Sequence, residues 1–528
     1  IPGVAGRFLR EREQRTSKID WMSAKYRAAL GWAVTRPLLV VGITLVIAAA
    51  GAGLFTQLET GFLPEMDEGG YIVDYWTPEG TSLQETDRML KRVEAVLNDT
   101  PEVASFARRT GAEMGMFATP QNTGDIVVKL KPSHERKRGA QAVIAEQRET
   151  FAKQMPGMTI EFVLLLQDML GDLEGNPEPV EVKIFGNDMP TLTALAERTA
   201  EQLKKVGLVD IVVPQRGNPE LNLQIDPTRT ARAGFTVDQV SNQVATGLLG
   251  KVATSFRRDD RLIDVRVRFD DRFRFDLDWI RQFPIATASG SLLPLSAIAT
   301  FDQTEGETEL NREDLRQMIP ITARLEKRDL GSSIRDVQTL LAAQQWPMGY
   351  SWRLGGQYES QQSSFRSMVL VLAVAVLLVF GVMVAQFRRF TPAVVIMSAA
   401  PLSLVGAFGL LLLTGTPLNV SSLMGLILLI GLIVKNGIIL VDYADILMAR
   451  GSHPTEALIE AGAVRLRPIL MTTLCTLFGL LPLALGLGPG AEMQKPLAIA
   501  VIGGLSVSTV ITLVFVPTLL SAIQARRS

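Results

Sequence analysis

Apolar runs of about 20 residues, the length needed to cross the hydrocarbon core of a bilayer, recur six times along the chain. They lie near 36–55, 367–386, 392–414, 420–442, 468–487 and 496–520. Between the first two, residues 56–366 change to the shorter periods of a water-facing domain. There, 71–76 alternates as a strand, and Ser82-Leu-Gln-Glu85 matches a capping box. That box opens a helix with Leu83, Leu90, Val93 and Leu97 on one face. Strands at 103–108 and 125–130, a helix at 140–153 and a strand at 159–165 complete the order β-α-β-β-α-β, that of a ferredoxin-like split βαβ unit.

A second unit starts with a strand at 180–185, a helix at 190–205 and a strand near 209–213. It resumes at 319–325, with a helix at 333–345 and a strand at 350–354. The interruption, 214–316, has its own strands (221–225 and 262–269) and a helix near 237–248. Polar or glycine-containing stretches at 175–179 and 355–364 read as linkers. The expected fold is therefore α+β: six transmembrane helices and a large head of two ferredoxin-like units, the second carrying an inserted subdomain. The divisions are 1–35 as a cytoplasmic or interfacial segment, 36–55 as the first span, 56–213 with 317–366 as the two units, 214–316 as the insertion, and 367–528 as five further spans.

Basic residues orient the chain. Eight precede the first span, from Arg7 to Arg36. Arg388 and Arg389 follow the second, Arg450, Arg465 and Arg467 lie between the fourth and fifth, and Arg526 and Arg527 follow the sixth. The loops 414–419 and 488–496 hold only Lys495. All four basic stretches fall on one side of a six-span topology, which predicts cytoplasmic termini and a head on the opposite face. A small-residue stretch, Ala48-Ala-Ala-Gly-Ala52, resembles a signal-peptide cleavage site, but 35 residues precede the run, so it is read as an anchor-like helix inside a longer polypeptide.

Composition agrees with a membrane protein: 47% of the 528 residues are hydrophobic and 20% charged. Lys and Arg (53) nearly balance Asp and Glu (54), which argues against a nucleic-acid partner. The single cysteine, Cys475, excludes an internal disulfide, and His134 and His453 are expected at solvated positions. Gly250-Lys251-Val252 lacks the Ser/Thr and glycine spacing of a P-loop. No Ser-His-Asp, Cys-His or clustered-ligand pattern is visible, so neither enzyme activity nor a resident cofactor is expected. Glu65, Asp67 and Glu68 read as a solvated turn.

One ionisable group interrupts the fourth run: Gly431-Leu-Ile-Val-Lys435-Asn436-Gly-Ile-Ile-Leu-Val-Asp442. A charge near the bilayer centre costs about 2.5–3.5 kcal/mol on insertion scales. Lys435 is therefore either a structural lysine set against helix carbonyls or a charge-compensating member of a proton relay. Thr472 and Thr473 are hydroxyls able to bond across helices or back to their own helix. Asp442, two turns from Lys435, is expected at the interface.

These residues carry a family resemblance. Phe62-Leu-Pro-Glu-Met-Asp67, Gln121-Asn-Thr-Gly124, 431–442, and Arg465-Leu-Arg-Pro-Ile-Leu-Met-Thr472 opening the fifth span resemble the C-terminal half of a resistance-nodulation-division (RND) efflux permease. The resemblance covers nearly the whole chain. It implies proton-driven export, a homotrimer, and assembly with a periplasmic adaptor (membrane fusion) protein and an outer-membrane channel in the bacterial inner membrane. It implies that 214–316 is a docking subdomain and that the two units are porter subdomains. It also places Lys435, Asn436, Arg465 and Thr472 beside proton-binding carboxylates of an N-terminal half. For Arg467, membrane-edge topology alone is sufficient. Proton coupling is energetically adequate: one charge crossing 100 mV yields about 2.3 kcal/mol, against about 1.4 kcal/mol for a tenfold uphill gradient.

For cargo, the loop 106–122 supplies Phe106, Met114, Met116 and Phe117, adaptable contacts for a small lipophilic substrate. Burial under a neighbouring domain explains the same residues. Multidrug relatives carry a glycine- and phenylalanine-rich gating loop here, from which Gly111-Ala-Glu-Met-Gly-Met-Phe117 departs. The Lys-Asn signature resembles the multidrug and lipophile branch, which puts lipophilic export first. The heavy-metal branch is the alternative, with Met114, Met116 and Met169 as soft ligands. A non-pumping protein-translocation accessory is a further alternative, disfavoured by the size of the head.

Overall fold

The computed structural model describes residues 18–64, 66–112, 119–166, 169, 178–214, 217–287, 290–306, 310–326, 328–488 and 490–525. Helix α1 (Lys18–Val34) leads into α2 (Pro37–Gln57), the first of six helices long and apolar enough to cross a membrane. Proline opens α2, where its fixed φ suits the first turn and its missing N–H costs nothing.

The first head unit runs β1 (Gly70–Trp76), α3 (Leu83–Asp99), β2 (Val103–Thr110), β3 (Thr123–Leu130), α4 (Ala140–Gln154) and β4 (Thr159–Val163). The strands form an antiparallel sheet in the order β2-β3-β1-β4. Register pairs Tyr71 with Val128 and Val73 with Ile126, placing the alternate apolar residues of both strands against Leu90, Val93, Leu97, Val143 and Phe151 of the two helices. The capping residue is as read: the Ser82 hydroxyl accepts the Glu85 N–H at 3.3 Å.

The second unit begins β5 (Val180–Phe185), α5 (Met189–Lys205), β6 (Leu208–Val212) and is then interrupted. The insertion contains β7 (Pro219–Ile225), α6 (Val237–Leu248), β8 (Lys251–Arg258), β9 (Arg261–Val267), β10 (Pro284–Ala286), β11 (Leu292–Pro294) and β12 (Ala299–Glu305). Its small core joins Phe235, Val240, Val244, Phe283 and Leu295, while the β8–β9 hairpin stands exposed. The unit resumes with β13 (Asn311–Glu313), β14 (Arg316–Leu325), α7 (Leu330–Ala343) and β15 (Ser351–Gly355). Its sheet order β6-β14-β5-β15 repeats that of the first unit, with β13 on the far end of β14.

The chain returns to the bundle through α8 (Gln357–Phe387), α9 (Phe390–Leu413), α10 (Val420–Ala449), α11 (Pro454–Ala484) and α12 (Ala491–Ala525). Helix α12 is central: 72% of its most apolar stretch is buried, against 6% for α8. Glycines let its neighbours close on it. A Cβ added at Gly503 would lie 2.3 Å from the Gly406 carbonyl of α9, and one at Gly406 equally near the Gly503 carbonyl. Leu429 of α10 fills the notch at Gly504. Without a hydrophobic drive between helices in lipid, such close backbone contact supplies the dispersion that holds a bundle.

Three expectations are corrected. The fifth membrane helix starts at Pro454 rather than near 468, so Arg465 to Thr472 lie inside it; proline at 468 is tolerated because packing neighbours re-satisfy a helix backbone in a bundle. Most of the supposed linker 355–364 is the first turns of α8, and the break is confined to Gly356, at φ +73°. Asp67 and Glu68 are no solvated turn. Arg136 forks onto Asp67 at 2.5 and 2.6 Å, the Asp67 N–H donates to Glu492 of α12 at 2.8 Å, and Glu68 accepts the Leu166 N–H at 2.7 Å. Glu65 lies outside the described residues.

The Gly503 contact is testable. Gly503→Val should lower bundle stability by about 1–3 kcal/mol or more, since the obstructing atom is backbone. Gly479→Ala, where a Cβ meets nothing within 4 Å, should leave the melting temperature in detergent unchanged. Equal melting of both variants would refute the tight crossing.

Candidate functional site

The membrane candidates are held on α10 and α11, antiparallel neighbours. An Asn419–Ser422 capping box starts α10, with N–H···O distances of 2.8 and 2.9 Å. Its buried residues, including Gly425, Leu429, Ile433 and Gly437, face the bundle. Met424, Leu428, Gly431 and Lys435 fall at intervals of four, three and four on the opposite stripe and are exposed. Lys435 is therefore not enclosed by its own bundle, as a structural lysine against helix carbonyls would be. Among the described residues it has no ion pair. Its neighbour Asn436 turns inward and is buried.

Arg465 is half-buried, its guanidinium 4.6 Å from the Tyr443 ring centre, and its Nε is buried without a hydrogen-bond partner among the described residues. Thr472 is exposed and bonds back to the Ile469 carbonyl at 3.0 Å. Thr473 is the hydroxyl that reaches across, 3.3 Å from Thr509 of α12. From the rise of 1.5 Å per residue, Lys435 lies about 21 Å from the C-terminal end of α10, and Arg465 and Thr472 about 17 and 27 Å from the N-terminal end of α11. The structure thus brings Lys435 and Thr472 to free surfaces at comparable depth, and sets Arg465 and Asn436 into protein.

In the head, Phe106 is not in a loop. It lies in β2, which continues to Thr110, and packs against the core of the first unit. Met114, Met116 and Phe117 lie outside the described residues. Met169 is exposed.

A different feature joins the two units. Where β4 meets β6, a cavity of about 420 Å³ is lined by Arg148, Phe151, Met158, Phe162, Lys204 and Asp210. Beside it runs a buried ionic seam. Arg324 of β14 contacts Glu161 of β4 at 2.6 Å and Glu178 at 2.5 Å, with all three side chains at most 13% exposed. Arg148 of α4 holds Asp210 of β6 at 2.6 Å. Two carboxylates on one guanidinium leave an excess negative charge, which a single proton removes. Burial raises Glu161 above the ordinary carboxylate range, and Glu178 adds to that shift against the pull of Arg324. Sequence reading missed this seam. Its only signals were a glutamate inside Thr-Ile-Glu-Phe-Val and an arginine inside the apolar alternation of β14.

A family-wide profile described as the AcrB/AcrD/AcrF family matches residues 1–524. The chain belongs to that family, the RND permeases. It is 31% identical over 98% of its length to the "Cobalt-zinc-cadmium resistance protein CzcA" of Cupriavidus metallidurans, covering 50% of that protein. It is 28% identical over 93% of its length to the "Multidrug resistance protein MdtC" of Escherichia coli, covering 48% of it. Among solved structures, a heavy metal efflux pump superposes with a TM-score of 0.88 at 28% identity, over 96% of this chain and 52% of that one. The chain spans about half the length of the curated relatives it matches.

The seam generates a pH prediction. Glu161 binds its proton more tightly folded than unfolded, so its contribution is full below the ordinary carboxylate value and is lost as pH rises through the raised one. Thermal stability of the head should fall over that rise, and Glu161→Gln should flatten the profile. Arg324→Met strands two buried carboxylates and should cost about 3–5 kcal/mol, partly recovered in the double variant with Glu161→Gln. Identical pH profiles for the parent and Glu161→Gln would refute the shared proton.

Proposed function

We propose that the chain is the C-terminal half of a proton-driven inner-membrane efflux permease whose cargo is a heavy-metal cation. The observation that carries the cargo assignment is the run of relatives: those named for cobalt, zinc, cadmium and nickel match over 98–100% of the chain at 28–31% identity. A heavy metal efflux pump is also among the matching solved structures. The residue pattern put lipophilic cargo first and metal second; the relatives reverse that order. Multidrug proteins at 27–28% identity keep lipophilic export as the second reading.

In this reading the two β-α-β-β-α-β units are ferredoxin-like porter subdomains and 214–316 is the docking subdomain. The head is periplasmic, and a homotrimer works with an adaptor protein and an outer-membrane channel. The exposed stripe of α10 supports a missing partner surface, because an ammonium facing lipid is costly. We place the proton-binding carboxylates of the N-terminal half opposite Lys435, with Thr472 beside it and the unmet Arg465 donor directed to the same half. Protonation of those carboxylates would release Lys435, and deprotonation would recapture it.

Three expected outcomes follow in the complete pump. Lys435→Met should leave expression and trimer assembly near normal and abolish proton-dependent export in vesicles with an imposed pH gradient; export at the parent rate would make Lys435 structural. A cation panel (zinc, cobalt, cadmium, nickel, copper, silver) run beside lipophilic dyes should show cation export, and dye export alone would return the lipophilic reading. With Cys475 replaced, Asp260→Cys at the tip of the β8–β9 hairpin should react with an impermeant thiol reagent from the periplasm. Reaction only after the inner membrane is permeabilised would overturn the orientation.

A further inference from the structure

Helix α1 is docked by one face, and its other face is exposed among the described residues. The inner face uses Tyr26, Leu30 and Ala33. The Tyr26 hydroxyl donates to the Leu513 carbonyl of α12 at 2.6 Å, and its ring and Leu30 fill the notch at Gly462 of α11. Arg27 is neutralised by Glu460. The outer face repeats one motif twice. Lys25 Nζ lies 3.8 Å over the Trp21 ring, and the Arg36 guanidinium 5.1 Å over the Trp32 ring. At 100° per residue, positions 21, 25 and 32 fall within about 40° of one another on α1, forming a stripe, and Arg36 follows in the turn between α1 and α2. Both tryptophans are half or more exposed. Among the described residues, neither Lys25 nor Arg36 pairs with a carboxylate.

The place of the stripe decides its occupant. Helix α2 enters the head at its C-terminal end and α8 leaves the head at its N-terminal end, so α1 lies at the end of the bundle away from the head. Arg36 directly precedes Pro37, the first residue of the span, so the stripe ends where hydrocarbon begins. Tryptophan with lysine or arginine at that level is the chemistry of a headgroup layer, the ring lying among glycerol groups and the cation on phosphate. A zwitterionic headgroup already has its own cation for its phosphate. An ammonium and a guanidinium, neither paired with a carboxylate among the described residues, favour a phosphate whose charge is uncompensated.

We propose that the outer face of α1 is a docking surface for anionic phospholipid headgroups, each held between a tryptophan and its paired cation. The proposal rests on the membrane reading but on neither cargo nor proton coupling, and transport is not its readout. The full chain is placed in nanodiscs containing bromine-labelled phosphatidylglycerol or bromine-labelled phosphatidylcholine at equal fraction, and tryptophan fluorescence is recorded. A Trp21→Phe/Trp32→Phe variant subtracts the remaining tryptophans. Quenching of Trp21 and Trp32 should be greater with the anionic lipid. Lys25→Gln/Arg36→Gln should weaken that preference about tenfold while leaving the melting temperature unchanged; a variant that melts early is replaced by Lys25→Gln alone. Equal quenching by both lipids would leave an interfacial helix without headgroup preference and overturn the proposal. Absence of quenching by either would mean that protein covers the stripe, and would overturn it as well.

Discussion

Two glycines, Gly406 and Gly503, allow the backbones of α9 and α12 to touch, and the membrane bundle is arranged around that contact. In lipid there is no gain from hiding one leucine behind another, so helices associate where their backbones can approach and dispersion contacts are densest. Gly504 then admits Leu429 of α10, and Gly425 of α10 approaches the Leu497 carbonyl of α12. Fixing α10 against α12 on one side leaves its opposite stripe, with Lys435, without cover. The exposure of the lysine is thus a consequence of the glycine packing several helix turns away.

The head follows a different rule. Each unit is an antiparallel sheet of the same four-strand order, extended by β13 in the second, with helices over one face, and each encloses its own core. The insertion enters the second unit between its second and third strands, so the sheet survives interruption; a loop lengthened there alters chain entropy only logarithmically. The units meet through charge rather than through a shared apolar core. A seam of Arg324, Glu161, Glu178, Arg148 and Asp210 is specific in geometry and sensitive to proton number, whereas a greasy interface would be neither.

Much of this organisation is legible in the sequence, because period and length survive without coordinates. The helix at 237–248 and the succession of strands and helices along 70–163 are examples where local pattern and tertiary context agree. The helix ends in the membrane region were less legible. Proline at 468 looks like a start signal, and only packing shows that α11 runs through it. Azimuth was hidden for a related reason: a helix apolar all round has no polar face from which to judge where Lys435 points. Contacts between distant residues were not legible at all. Asp67 and Arg136 are 69 positions apart and Glu161 and Arg324 are 163 apart, and no local rule joins them. Phe106 was misplaced because the alternation of β2 continues through Arg108 and Arg109, charged residues that are tied to Asp87 and Asp125 rather than to solvent.

The segment that follows α2 has a mechanical consequence. Leu418, just ahead of α10, exchanges backbone hydrogen bonds with Glu59 and Gly61 at 2.8 and 3.1 Å, and Val420 reaches Phe62 at 3.3 Å. Thr60 is bonded to Asp329 at the cap of α7, Gly61 to Gln361 of α8, and Asp67 to Glu492 of α12. The first part of this short strap is therefore fastened both to the segment ahead of α10 and to the cap of α7 in the second head unit, and its last part is fastened to α12. If α10 slides along α12, the strap cannot follow both; it must shear, and the strain is delivered at once to β1 on one side and to α7 on the other. A displacement of α10 against α12 would in this way bear on both head units through the segment between α2 and β1, without having to travel through either sheet.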